Sequence, residues 1–253
     1  MKKIILIAFA VIVIAFAVSF YVNNNLALII RRLPEGTGLM NKLTFRASIF
    51  GALPAARAEL KTDNAISGSG AKLYRLSAEA GPLELFRVFF NGSVLIESYV
   101  DKKTLNPSVF RQKTLIPNKA DQVKEVIYDQ KSNVMSLRGE KRNILPDTRE
   151  PLSILLNLRN TDLSKVKELE MNINTNQKNY AFKATVTPLT VRAGRKMYKI
   201  YLVKANIFRR DKNPYHKSYI DIALVNQNGQ NTPVLIKVFA SGMYLSAKLV
   251  EVK

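Results

Sequence analysis

Leu43-Thr44-Phe45-Arg46-Ala47-Ser48-Ile49 is the stretch that decides how the rest of this chain is read. Apolar side chains alternate with polar ones, which is the two-residue period of a strand with one buried face, not the 3.6-residue period of a helix. Working outward, comparable runs lie at Lys72 to Glu79, Glu84 to Phe90, Val94 to Val100, Val123 to Tyr128, Glu168 to Ile173 and Tyr180 to Thr187. Further ones follow at Met197 to Val203, Tyr219 to Val225, Val234 to Ala240 and Met243 to Val250. The joins are short and carry Asn91-Gly92, Asn228-Gly229 and Ser241-Gly242, which accept positive φ in tight turns. Short joins and alternation together predict a meander of antiparallel strands.

One stretch breaks the period. Pro151, Leu152, Ile154, Leu155 and Leu158 fall at helical spacing, with Asp147 or Thr148 upstream as a cap and Pro151 suited to a first turn. Glu150 to Asn160 therefore reads as a helix. A long sheet that curves has a concave apolar face to fill, and a lone amphipathic helix serves as its plug or lid. The expected fold is mainly β: a curved antiparallel sheet or incomplete β-barrel with one internal helix, over residues 41–253, preceded by an N-terminal transmembrane helix.

That leading segment sets the expected compartment. Lys2 and Lys3 precede Ile4 to Val22, nineteen residues without a charge, and at 1.5 Å per residue a helix of that length reaches about 28 Å, close to a hydrocarbon core. The flanking lysines resist translocation, so the remainder is sent outward. Ala15-Phe16-Ala17 would suit signal-peptide cleavage, but the apolar run continues through Val18 to Val22, which favours an uncleaved anchor. The expectation is an inner-membrane anchor over 1–30, with Leu26 to Ile30 lying among the head groups. A linker over 31–40 containing Pro34, Gly36 and Gly38 then leads to a periplasmic domain, or to an exported one if the leader is cut.

Composition narrows the chemistry. The 253 residues are 47% hydrophobic, enough for a packed core, and 39 Lys and Arg against 19 Asp and Glu give a formal charge of +20. Such an excess attracts anions: nucleic acid, phospholipid head groups, lipid-borne phosphates or acidic glycans. Outside the cytoplasm, and without a recognition helix or an aromatic RNA-binding motif, no nucleic-acid partner is expected. The absence of cysteine removes disulfides, thiol nucleophiles and Cys-rich zinc sites, and His216 is the only histidine, so neither a metal nor a cofactor is expected.

The run ESYVDKKTLNPSVF at Glu97 to Phe110, then Val126-Ile127-Tyr128-Asp129 and EPLSILLNLR at Glu150 to Arg159, resembles the bacterial envelope family called domain of unknown function 3108. KLTF at Lys42 to Phe45, ALPAARAEL at Ala52 to Leu60 and the closing strands from Pro233 through Gly242 extend the likeness over most of the exported part. The resemblance implies an exported incomplete β-barrel like the half-barrels of lipoprotein carriers. It brings no established activity.

Within the family-like segments, Asp101, Pro107, Glu150, Pro151, Ser153 and Arg159 read as structural: Asp101 caps the turn into Lys102 to Asn106, Glu150 complements the helix N-terminus, and Arg159 pairs with a strand or the last carbonyls. No nucleophile elbow or histidine accompanies them, so no enzyme is expected. The runs around Leu85 to Phe90 and Met197 to Val203 are apolar on both faces, so the second face either meets another element or lines a cavity. Phe86, Phe90, Tyr99, Tyr201, Tyr219 and Phe239 are the candidate lining residues. Basic clusters at Lys102 and Lys103, at Arg138, Lys141 and Arg142, at Arg192, Arg195 and Lys196, and at Arg209, Arg210 and Lys212 could fork onto phosphate or carboxylate. Arg138, Arg142, Arg209 and Arg210 are the candidates beside the pocket. The expected function is non-catalytic binding of an amphiphilic or anionic envelope component, a lipid or lipid-linked glycan. The alternative is docking of another envelope protein through a strand edge or basic face.

Overall fold

The computed structural model describes residues 26–34, 38–51, 53–88, 91–175, 177–210, 218–240 and 242–253. Among them a helical turn at 26–30 (α1) precedes β1 (Leu43–Ile49), β2 (Leu53–Ile66) and β3 (Lys72–Pro82). A short α2 (Glu84–Arg87) leads to β4 (Ser93–Asp101), β5 (Pro107–Leu115), β6 (Gln122–Asp129), β7 (Val134–Leu137) and β8 (Glu140–Asn143). After α3 (Pro151–Asn160) come β9 (Glu168–Thr175), β10 (Lys178–Ala193), β11 (Lys196–Arg209), β12 (Ser218–Gln227), β13 (Gln230–Ala240) and β14 (Met243–Val252). All fourteen strands form one antiparallel sheet in the order β8 down to β1, then β14 down to β9.

Each strand thus pairs with its neighbour in sequence, and the meander begins and ends at its own centre. The Lys42 and Lys253 backbones bond each other at 2.8 and 2.9 Å, zipping β1 to β14. Only β8 and β9, separated by α3, do not pair. The sheet curls to bring these two edges near each other, and the segment before α3 stitches the gap. Arg149 N–H donates to Asn172 O and Asn174 N–H to Arg149 O, both at 2.8 Å, while Asn172 Nδ2 reaches Pro146 O and Asn179 Nδ2 reaches Asn143 O. The result is a curved, unclosed, barrel-like sheet with α3 inside.

Helix α3 packs on both sides of the interior. Leu152 and Leu156 join a core with Leu43, Phe45, Leu60, Leu76 and Val100, whereas Ile154 and Leu158 join Phe182, Tyr201, Val203, Ile222 and Leu224. Its cap is Glu150, not Asp147 or Thr148: Asp147 sits at φ +52 in a turn, and the Thr148 hydroxyl donates to Leu145 O. At the far end Asn231 Nδ2 donates to Leu158 O and Thr161 O, at 2.9 and 2.7 Å. That is the role expected of Arg159, which instead donates from Nη2 to Gly38 O.

The expected transmembrane helix over Ile4 to Val22 lies outside the described residues, and among those described no helix is long and apolar enough to cross a membrane. The placement of Leu26 to Ile30 among head groups is corrected. Leu26, Ile30 and Leu33 are buried in the core beside Leu43 and Val225, because the strand ends there leave an apolar gap that α1 fills. Glu84 to Phe90, expected as a strand, is broken by α2: the backbone turns after Pro82, with Phe86 N–H donating to Leu83 O.

Candidate functional site

The two ends of the curled sheet differ. At one end lie α1, the paired residues Lys42 and Lys253, and the turns after β2, β4, β6, β10 and β12. The other end, here called the mouth, carries the turns after β1, β3, β5, β7, β9, β11 and β13.

The inner face continues to the mouth without losing its apolar character. Register pairs Leu53 with Ile49, Ile49 with Leu245, Leu245 with Val238 and Val238 with Ile220, a row across five adjacent strands. Along β1, β14, β13 and β12 the row keeps the parity of residues that pack in the core lower down, namely Phe45, Leu249, Ile236 and Ile222, and on β2 the register shift opposite Ala47 and Ser48 brings Leu53 to the same face. At the mouth nothing among the described residues covers it fully: Leu53 is 53% and Leu245 39% exposed, and Ile49, Val238 and Ile220 are half-buried. Across the interior the wall is polar, since Gln112 and Lys124 lie opposite each other in register and line a cavity of about 40 Å³ with Phe110, Tyr128 and Glu150. That volume holds a water molecule or so, not an acyl chain. A larger groove of about 540 Å³ opens on the mouth between Arg87, Asn91, Leu115, Ile116 and Pro117.

Of the expected lining residues, Phe86 on α2 stands at this end; the stacked pair Tyr219 and Phe239, with ring centroids 5.0 Å apart, is there too but on the outer face, because their strand neighbours Ile220 and Val238 hold the inner one. Tyr201 is core: it is buried with Ile154 and Leu158, while its neighbour Ile200 is buried in the cluster holding Leu26 and Ile30. The doubly apolar stretch around it thus packs on both faces at Ile200 and Tyr201. Tyr99 lies outside, because its neighbour Ser98 is the residue that points in, donating to Glu150 Oε1 at 2.8 Å. Phe90 falls outside the described residues. All four candidate arginines are at the mouth, Arg138 in the β7–β8 turn and Arg142 on β8, with Arg209 and Arg210 at the end of β11. Arg142 reaches Glu140 at 3.4 Å, and Arg210 spends its guanidinium on Asn172 Oδ1 and Glu170 Oε1. Lys212 and His216 lie outside the described residues.

Asp101 and Glu150 each accept from backbone N–H groups of their own segments. Asp101 Oδ1 accepts from Lys103 N–H and Thr104 N–H, which holds its carboxyl below the usual range. The Glu150 carboxylate is buried and accepts from Leu152 N–H (2.8 Å), Ser153 N–H (2.6 Å) and Ser98; the Ser153 hydroxyl in turn accepts from Glu150 N–H. Burial pushes Glu150 up although these donors pull it down. Arg159 is 1% exposed, and burial lowers it to about 10, with Nε and Nη1 unpartnered among the described residues. Pro107 opens β5 and Pro151 opens α3.

Much of the acidic charge is consumed on the outer face. Arg75 pairs with Glu97, Glu97 with Arg111 and Arg111 with Glu125, a ladder across β3 to β6, while Lys42 just before β1 joins Glu59 and Arg57 on β2 and Glu251 on β14 in another. Alternation could mark Ile49, Leu245, Val238 and Ile220 as sharing a face with the core, but not Leu53, which a register shift in β2 brings there. It carried no signal that solvent reaches them, because depth along the barrel axis is not periodic in sequence.

Fold and mouth together define a class: barrel-like antiparallel sheets left open along one seam and plugged by a helix. Within it, the chain belongs to the family described as Protein of unknown function (DUF3108), whose model matches residues 44–242. A solved structure from Brucella abortus, a beta-barrel-like protein of domain of unknown function DUF1849, is similar in fold, with a TM-score of 0.57 at 10% identity. It covers 85% of this chain and 97% of its own. No curated protein matches the sequence.

Proposed function

We propose that this is a membrane-tethered, extracytoplasmic, non-catalytic binding protein that holds the apolar part of an anionic amphiphile, a lipid or lipid-linked glycan, in its mouth. The observation that carries the reading is the row Leu53, Ile49, Leu245, Val238 and Ile220: a core-parity face left partly open to water. Exposed inner-face leucines are unfavourable unless something apolar covers them, and each methylene laid there is worth about 0.8 kcal/mol. Basic residues around the mouth, Arg87 and Arg138 among them, suit the head group, as does Lys124 on the polar wall. Tyr201, Tyr99, Tyr219 and Phe239 drop out of the ligand set, the last two because they face outward beside Ile220 and Val238, and Leu53 and Leu245 enter it. Native mass spectrometry of the detergent-extracted full chain tests this. Wild type is expected to carry an added lipid-sized mass that Leu53→Asp and Leu245→Asp each deplete. Bare wild-type protein, or equal loading in both variants, refutes it.

A second reading has its own observation. Strand β8 is a sheet edge with all four residues exposed, including Lys141 and Arg142, so an acidic extended segment of an envelope protein could add to it. Cross-linking from position 141 in cells to one reproducible protein favours that reading.

A further inference from the structure

We infer that the mouth docks on an anionic lipid surface, and that this surface is not the one in which the chain's own N-terminal segment inserts. The inference rests on the preceding reading only in taking the mouth as the working end; its geometry is independent of whether an amphiphile is bound.

The turns ring the mouth in the order set by the sheet, and three consecutive ones carry large apolar side chains in water. Leu85 and Val88 on the β3–β4 connection are 84% and 87% exposed, Phe50 on the β1–β2 turn is 72% exposed, and Met243 just after the β13–β14 turn is 49% exposed. Phe50 has little freedom to turn away: it sits at φ +51, and Gly51 beside it at φ +74 is packed against the Tyr244 ring. Lone exposed apolar residues are ordinary, but several on adjacent turns of one rim form a patch of the kind that marks a membrane or protein contact.

The flanking chemistry selects lipid with anionic head groups. Exposed Arg87 lies between Leu85 and Val88, and the other turns of the ring and the strand ends beside them bring exposed Lys119, Arg138, Lys141 and Lys178. Among the acids of this rim, Asp121 and Glu140 are held by Lys113 at 2.7 Å and Arg142 at 3.4 Å, and exposed Glu84 beside Leu85 is outnumbered by the exposed cations of the ring. Apolar tips beside exposed cations are the arrangement that partitions into an anionic interface.

Polarity excludes the leaflet of origin. The segment Ile4 to Val22 enters the described structure at α1, which is buried at the opposite end, with Pro34 O accepting from Gln227 at the β12–β13 turn. Strands rising about 3.3 Å per residue separate the two ends by roughly 25–35 Å. An interfacial layer only about 5–10 Å deep cannot hold both. The mouth therefore faces away from the membrane that would hold the tether.

The chain has no tryptophan, so Phe50→Trp, Leu85→Trp and, at the far end, Ile66→Trp are single reporters. The full chain is held by its N-terminal segment in zwitterionic nanodiscs and mixed with phosphatidylglycerol vesicles carrying brominated acyl chains. Expected are a blue shift and quenching at positions 50 and 85 but not 66, with association at least ~10-fold tighter than to zwitterionic vesicles. Leu85→Asp/Val88→Asp is expected to abolish quenching at position 50 with an unchanged circular dichroism spectrum. Quenching by brominated nanodisc lipid instead, a blue shift without bromine quenching (a protein or second copy covering the turns), or docking that survives the double variant overturns the inference. A lipid-sized mass retained without vesicle docking overturns this inference and leaves the preceding reading standing.

Discussion

Removing the Glu150 carboxylate should loosen the seam of the sheet before it melts the rest. In Glu150→Ala the first turn of α3 loses its cap, and Leu152 N–H, Ser153 N–H and the Ser98 hydroxyl lose a buried acceptor. A cap is worth about 1 kcal/mol, and each buried donor left unpaired costs about 1–3 kcal/mol. The hydroxyl can rotate and the buried charge no longer has to be desolvated, so the net loss is placed at about 2–3 kcal/mol, a large share of a domain stability of about 5–15 kcal/mol. Arg149, whose backbone forms the parallel bridge to β9, precedes Glu150 directly. Amide exchange at Arg149 and Asn174 should therefore accelerate more than exchange at Lys42 and Lys253, which pair far from the seam. Urea unfolding gives the total, and a cycle with Ser98→Ala should return a coupling of about 1 kcal/mol. A Glu150→Ala protein within about 0.5 kcal/mol of wild type, or with uniform acceleration of exchange, would refute the assignment of this carboxylate as the seam's anchor.

Other expectations follow from the same structure. Because burial raises the Glu150 carboxyl above its unfolded value, the protonated form is favoured by folding. Stability should be fully present below the unfolded carboxylate pKa and fall as pH rises through the folded one, a slope in urea midpoint that Glu150→Gln should flatten. Arg159 is buried with two nitrogens unpartnered among the described residues, so Arg159→Met should be neutral or stabilising, whereas Arg159→Ala should lose about 2 kcal/mol or more by opening a cavity; denaturation midpoints decide it. Gly51→Ala places a Cβ 2.8 Å from the Tyr244 ring at φ +74 and should lower the melting temperature by several degrees, equivalent to about 1–2 kcal/mol. Arg111→Ala leaves Glu97 with Arg75 alone, and since Arg111 is 43% exposed the loss should stay near 0.2–1 kcal/mol and shrink in high salt.

Period-two patterning was enough to make the chain a β meander, and it placed β1, β3, β4, β6 and β9 to β14 to within a few residues or as shorter cores of long strands. The break in period at Pro151 to Leu158 located α3. Strand β2 escaped because two of its inward positions are alanines, Ala56 and Ala58, and a register shift interrupts its alternation, in a stretch that reads as well for a helix; β5 escaped because Gln112 and Thr114 point inward; and β8 carries no apolar residue at all. These strands exist because neighbours offer them hydrogen-bonding edges, which is a property of the assembled sheet. Pairing of β1 with β14 joins residues some two hundred positions apart, and nothing local encodes it. The same holds for function. Sequence supplied the apolar faces and the cationic excess, but which leucines are covered and which meet water depends on where α1 and α3 stop along the barrel axis. Burial is a sum over the whole fold, whereas alternation reports only the side of one strand.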